Sequence, residues 1–338
     1  MEIVKINLLD YAVIDEGQDA TDALKETVKL AKKADELGFH RFWMAEHHDV
    51  NAFASSSPEL IMMHILGQTK RIKVGSGGVM VPHYSPLKVA ENFRIMENLY
   101  GGRVDLGIGS TLGTPEVNQA MNEFRPKKQP YEENISDIKK FLTNEDDESH
   151  RFNEVRANPL GDSNPEMWVL STSVKTAELA ARQGIGYTFG LFPYASRDKT
   201  NVGKLAVKRY REKFVPSKIM SKPTAMISPF VVVADTVEAA EHMAKALDLW
   251  LLGKKNFSEF EKFPSVETAE EYTYTVEEVK RLESNRTRMV VGDAKSVKEQ
   301  LDYLVEKIDA DELLIIPLMP GAHNRHRALE LLASEYNL

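Results

Sequence analysis

The chain has 338 residues, 42% of them apolar, and a formal net charge of −8, which provides material for one large core or two smaller ones. The acidic balance disfavours a phosphate-backbone partner, and the absence of cysteine excludes disulfides, thiolate nucleophiles and cysteine-ligated metals. The first residues show no basic and apolar leader, and no apolar run approaches the roughly 18 residues of a membrane span. The expectation is a cytoplasmic protein with neither a membrane nor a nucleic-acid partner.

Short apolar runs alternate with amphipathic segments along the chain. Strand Ile3–Leu8 precedes a helix whose Leu24, Val28, Ala31 and Leu37 fall on one stripe ending at Gly38. Arg41–Ala45 leads to helix Pro58–Gln68, Ile72–Val81 to Pro86–Leu99, and Arg103–Ile108 through a long loop to Tyr131–Leu142. Met167–Leu170 precedes Val174–Gln183, Tyr187–Phe189 precedes Val202–Phe214, Met226–Val233 precedes Thr236–Leu251, and Glu312–Pro317 precedes His326–Tyr336. Eight such units predict a (β/α)8 TIM barrel, one domain over residues 1–338, with insertion loops at the carboxyl-terminal face. A doubly wound sheet with a second domain would alternate in the same way. The barrel is favoured because no Pro/Gly/Ser-rich linker divides the chain, and two insertions absorb the excess over the typical barrel of about 250 residues. One runs from Gly113 to Pro130. The other, Gly253 to Arg288, is charged and aromatic (Phe257, Phe260, Phe263, Tyr272, Tyr274), which suits a mobile lid or a surface excursion with its own helix, Val276 to Glu283.

In a barrel, the strand ends that open onto the chemistry are the carboxyl-terminal ones. The stretch AEHHDVNAFASSSPE, Ala45 to Glu59, leaves such an end, making Glu46, His47 and His48 catalytic candidates. GSGG, Gly75 to Gly78, and GIGSTLG, Gly107 to Gly113, place glycine where a flat ligand approaches the backbone or where a tight interior layer demands small residues. Ser171, Thr172 and Ser173 run into a helix with Thr176 in its first turn, a pattern that serves as an anion cradle or as simple capping. Arg125, Lys127 and Lys128 form a basic cluster that attracts a small anion or is a solvated loop. A barrel-type metal hydrolase using Glu46, His47, His48 and His83 is disfavoured, since neighbouring residues leaving a strand point to opposite faces and no HxH cluster adds ligands. No metal is expected. No GxGxxG opens a βαβ unit, so no tight NAD(P)H site of that type is expected.

Taken together, AEHH, the block from Gly75 to Ser110, FNEVRANP from Phe152 and VVGDAKSVKEQLDYLVEKIDADELLII from Val290 resemble the bacterial luciferase-like flavin-dependent monooxygenase family over nearly the whole chain. The resemblance implies a (β/α)8 barrel, a homodimer, and reduced FMN that a separate flavin reductase supplies and that reacts with O2 to oxygenate a small organic substrate. It makes His47 the active-site histidine that manages protons beside the flavin, titrating near neutrality, with Glu46 and His48 next to it. Gly77 and Gly78 match a pair that forms a non-prolyl cis bulge behind the flavin ring, and Met80 joins these cofactor contacts. Ser173 and Thr176 match hydroxyls that hold the FMN phosphate, with Ser171 and Thr172 beside them. Ser110 stands where many relatives carry arginine. A charge-assisted hydrogen bond is worth roughly 1.5 to 3 kcal/mol, so its loss weakens FMN by about one to two orders of magnitude unless Arg125, Lys127 or Lys128 substitutes. A deazaflavin (F420)-dependent dehydrogenase and a non-catalytic flavin-binding barrel are the alternatives.

Overall fold

The computed structural model describes residues 4–123, 129–144, 148–192 and 198–338. In chain order, its first half contains β1 (Lys5–Asp10), α1 (Ala20–Leu37), β2 (Arg41–Met44), α2 (Pro58–Gln68), β3 (Lys73–Ser76), β4 (Val79–Met80), α3 (Pro86–Tyr100), β5 (Val104–Gly109), α4 (Pro115–Asn122) and α5 (Tyr131–Thr143). The second half adds β6 (Glu166–Ser171), α6 (Val174–Gln183), β7 (Gly186–Gly190), α7 (Lys199–Lys213), β8 (Ala225–Ser228), β9 (Phe230–Ala234), α8 (Val237–Trp250), α9 (Val266–Glu271), α10 (Val276–Arg286), β10 (Met289–Asp293), α11 (Ala294–Ile308), β11 (Glu312–Ile315) and α12 (Ala322–Tyr336). Every pairing in the wall is parallel. Strands β3, β2, β1, β11, β8, β7, β6 and β5 follow one another, and β3 and β4 both meet β5, which closes an eight-stranded barrel.

Local chemistry explains most of these boundaries. Asp19 and Asp22 form a capping box that starts α1, and Gly38, at φ 94°, ends it in the left-handed region where glycine carries no Cβ penalty. The buried face of α1 is Ala23, Thr27, Leu30, Ala31 and Ala34, whereas Leu24 is 37% exposed. The contact stripe is thus rotated from the predicted one, because small Ala31 and Ala34 let the helix settle close to the wall. The loop predicted between Gly113 and Pro130 contains α4, started by Thr114 accepting from the Val117 N–H. The single strand expected over Met226–Val233 is two strands, with Pro229 between them. Proline has no N–H for a ladder, and beyond it β9 leaves the wall to pair in parallel with β10. Neither β10 nor α11 was anticipated as an element.

At the amino-terminal end of the barrel, the guanidinium of Arg41 is 3% exposed and faces three carboxylates: Asp105 at 2.7 Å, Glu166 at 3.0 Å and Glu312 at 3.1 Å. Trp43 Nε1 also donates to Asp105, Asn7 Nδ2 to Glu312, and the Arg41 guanidinium lies 4.9 Å from the Trp168 ring. These residues begin or follow the start of β1, β2, β5, β6 and β11, so one cation gathers four strands directly and β1 through Asn7 and Glu312. Lys73, on β3, joins through Glu166. Attraction in this dry interior offsets desolvation only while every partner is present. Replacing Arg41 by methionine is expected to lower unfolding stability by about 3 to 5 kcal/mol, as measured by urea denaturation.

Candidate active site

The loop leaving β2 sends adjacent side chains in different directions. Glu46 is buried, and its carboxylate accepts from the Met80 N–H at 2.9 Å, the Tyr84 hydroxyl at 2.7 Å and His48 Nε2 at 2.8 Å. It therefore ties the β2 end to β4 and to the turn beyond. His47 points elsewhere, with Tyr11 edge-on at 4.8 Å and Phe53 at 5.1 Å between ring centroids. Burial, followed by the neighbouring charge of His48, lowers its pKa to about 4. The expected titration near neutrality is accordingly corrected: enclosed by aromatic rings, the unliganded His47 is neutral at pH 7. Glu59, in the first turn of α2, has a carboxyl group raised above its usual range, chiefly by burial.

Gly77 and Gly78 are joined by a cis peptide bond. Much of the room that their missing side chains leave is already occupied by protein. A Cβ on Gly77 would lie 2.5 Å from Leu9 Cδ1, and one on Gly78 would lie 2.8 Å from the Gly107 carbonyl. A Cβ on Gly107 would come within 2.0 Å of the Ser76 carbonyl oxygen. Close backbone packing between the β3 end and β5 therefore demands small residues at Gly78 and Gly107, and the Leu9 and Trp43 side chains do so at Gly77. Gly109 differs, since its nearest such neighbours are at 3.9 and 4.0 Å and it keeps surface exposure, as Gly77 and Gly78 do. Met80 is buried beside this bulge, and Ser110 is exposed.

Farther round the barrel, Ser171, Ser173 and Thr176 form a hydroxyl cluster at the start of α6. Ser173 Oγ accepts from the Thr176 N–H at 3.2 Å and lies 2.9 Å from Thr176 Oγ1, while Ser171 Oγ accepts from the Ser173 N–H at 3.0 Å. Thr172 sits beside them, half-buried. Ser173 is thus the cap that simple helix chemistry predicts, and its hydroxyl lies among others at the positive end of a ten-residue helix. The basic cluster of Arg125, Lys127 and Lys128 lies outside the described residues.

The insertion from Gly253 to Arg288 carries α9 and α10 and lies against the His47 loop. Trp250 packs at a tilt against Phe53 at 5.1 Å and against Phe257 and Phe263 at 5.6 Å between ring centroids. The Phe263 N–H donates to the Ile14 carbonyl, and Asn51 Nδ2 to Glu261. Sequence reasoning missed Tyr11, Phe53, Tyr84 and Trp250 as partners of this site. Tyr84 carried a local signal, because it sits in VPHYSP, where two prolines mark a turn directly after the bulge. His48 and His83 approach with ring centroids 6.4 Å apart. Among the described residues no group of three or more His, Asp or Glu side chains could hold a metal ion.

The model of the luciferase-like monooxygenases matches residues 5–311. The chain belongs to the luciferase-like monooxygenase family. The uncharacterized protein YwcH of Bacillus subtilis (strain 168) is 38% identical over 336 residues, covering 99% of both chains. The N-acetyl-S-alkylcysteine monooxygenase of the same organism is 30% identical over 334 residues, covering 98% of each. Among solved structures, apo-MsnO8 is similar at a TM-score of 0.83 and 28% identity over 99% of this chain and 98% of that one. Two further structures share the fold. The oxygenating constituent of 3,6-diketocamphane monooxygenase from Pseudomonas putida, in complex with FMN, has a TM-score of 0.71 at 19% identity over 98% of each chain. An F420-dependent secondary alcohol dehydrogenase has a TM-score of 0.67 at 14% identity over 97% of this chain and 98% of that one.

In this luciferase-like chain both His40 and His47 have pKa values lowered to about 4, chiefly by burial. The unfolded chain binds their protons near pH 6.5 and the folded chain only near pH 4, so stability is complete above 6.5 and is lost on acidification towards 4. Each histidine is expected to contribute on the order of 2 kcal/mol to this loss. In urea unfolding across that range, His47→Gln should flatten the pH dependence by its share.

Proposed function

We propose that this chain is a flavin-dependent monooxygenase that uses reduced FMN, delivered by a separate flavin reductase, and O2 to oxygenate a small organic substrate. The observation that carries the reading is the hydroxyl cluster of Ser171, Ser173 and Thr176 at the start of α6, at the same carboxyl-terminal barrel end as His47 and the Gly77–Gly78 bulge. These groups fit the cofactor. The hydroxyls and the free N–H groups of α6 would hold its phosphate, while Gly77, Gly78, Gly109 and Met80 would lie along its ring. When bound, reduced flavin supplies the two electrons that activate oxygen. His47 offers a ring nitrogen to the reacting oxygen atoms, and Glu46 holds the β4 backbone that the flavin would contact. The 253–288 insertion, through its aromatic side chains, would exclude water and select the substrate as a lid.

The exposed serine at position 110 supplies no cation to a phosphate, which keeps a deazaflavin-dependent dehydrogenase as the second reading. A dimer belongs to the same proposal. Leu60 of α2 is 75% exposed, and Leu99 and Ile95 of α3 are 62% and 40% exposed, apolar side chains that a second copy would cover. A cytoplasmic location is proposed with it, in keeping with a chain without cysteine; no described helix is long and apolar enough to cross a membrane.

Anaerobic titration with oxidised and reduced FMN, followed by absorbance, tests the reading. Preferential binding of reduced FMN is expected, and binding of neither form would remove FMN as the cofactor. Ser173→Ala should weaken FMN about tenfold while leaving riboflavin affinity unchanged, whereas equal losses would return Ser173 to capping alone. Leu60→Asp should convert a dimer into a monomer in sedimentation measurements.

A further inference from the structure

His47 is held by rings rather than by hydrogen bonds. Its backbone N–H donates to the Ser55 carbonyl at 2.9 Å, but neither ring nitrogen has a protein partner among the described residues. Tyr11 stands edge-on to the imidazole at an interplanar angle of 79°, Phe53 covers another side, and Trp250 backs Phe53. Nδ1 is sealed inside this enclosure, whereas Nε2 is not among the sealed atoms and the residue keeps partial exposure at the carboxyl-terminal barrel end.

A neutral imidazole carries one N–H, and its placement on Nδ1 or Nε2 follows from the surroundings. On Nδ1 it would be a buried donor without an acceptor, the costlier orphan. On Nε2 it faces the open side, and only an acceptor lone pair is sealed. We propose that His47 works as a neutral hydrogen-bond donor through Nε2–H, fixed in that tautomer by Tyr11, Phe53 and Trp250, and not as a base. The groups around it agree. His48, on the same loop, adds positive potential, and the carboxylate of Glu46 is turned onto Met80, Tyr84 and His48. Tyr11, from the segment after β1, presents its ring edge, while Phe53 and Trp250 carry no charge. A fixed neutral donor stabilises an oxygen that gains negative charge, with no proton transfer in the resting site.

The use of this donor, and its turnover test, rest on the oxygenation reading, but the test of the tautomer does not. In ¹⁵N-histidine NMR of the flavin-free protein, with His47 assigned by its loss in His47→Gln, Nδ1 should be unprotonated and Nε2 protonated, without titration between about pH 5.5 and 8. A protonated Nδ1, or an imidazolium forming in that range, would overturn the assignment. In Phe53→Ser, which opens the ring enclosure, the midpoint should rise from about 4 towards 6.5. An unchanged midpoint removes Phe53 from the role. In turnover, His47→Gln keeps an N–H near the place of Nε2 and should exceed His47→Ala by about tenfold or more, and equal rates would overturn the donor role. Failure of the FMN titration, by contrast, would remove the cofactor and leave the tautomer result standing.

Discussion

One buried cation organises the closed end of this barrel. Arg41 reaches Asp105, Glu166 and Glu312 from strands that lie far apart in the chain, and Trp43 and Trp168 fill the layer above it. Desolvation and attraction act against each other here. Burial works against the guanidinium, yet the three carboxylates hold it well above its ordinary pKa. The guanidinium is thereby kept charged at the end of the barrel where no chemistry is expected. Strand order and stagger are thereby set from below, and the upper rim can be built from small residues.

At that rim, two adjacent side chains are held by opposite means. Glu46 spends its oxygens on a backbone N–H, a phenol and an imidazole, so it acts as a brace between loops. His47 is placed by aromatic surfaces that themselves rest on the 253–288 insertion. The insertion therefore reaches the histidine's surroundings through Trp250 and Phe53. Tyr11 and Phe53 enclose the imidazole and lower its pKa by burial, so the same contacts that position the group set its protonation.

Much of this was legible in the sequence. All eight wall strands announced themselves as apolar runs, and the start of the Ala45 to Glu59 loop, the Gly77–Gly78 pair and the Ser173 cap all lie at strand or helix ends where their chemistry places them. What was not legible depended on distant contacts. The α1 stripe was displaced because helix packing on the wall favours alanine over the larger Leu24. Pro229 was overlooked within an apolar run, and with it the departure of β9. The protonation of His47 depends on Tyr11, Phe53 and Trp250, which come from three separate parts of the chain, so no local pattern could reveal it. The glycines around Gly107 carried a true signal with two meanings, and only the neighbouring backbone showed that close strand packing accounts for most of them.

Pro229 has a further consequence. By ending β8 and letting β9 continue in the same direction outside the wall, it creates a side branch whose two ends, β9 and β10, are hydrogen-bonded to each other, while Pro229 and Val231 keep a short bridge to Ile316 just beyond β11. Such a branch is a cassette with its own closed base. Its helices can lengthen, shorten or be replaced by recombination without shifting the register of the staves, which gives a lineage a way to change what sits over the mouth while inheriting the rest unchanged.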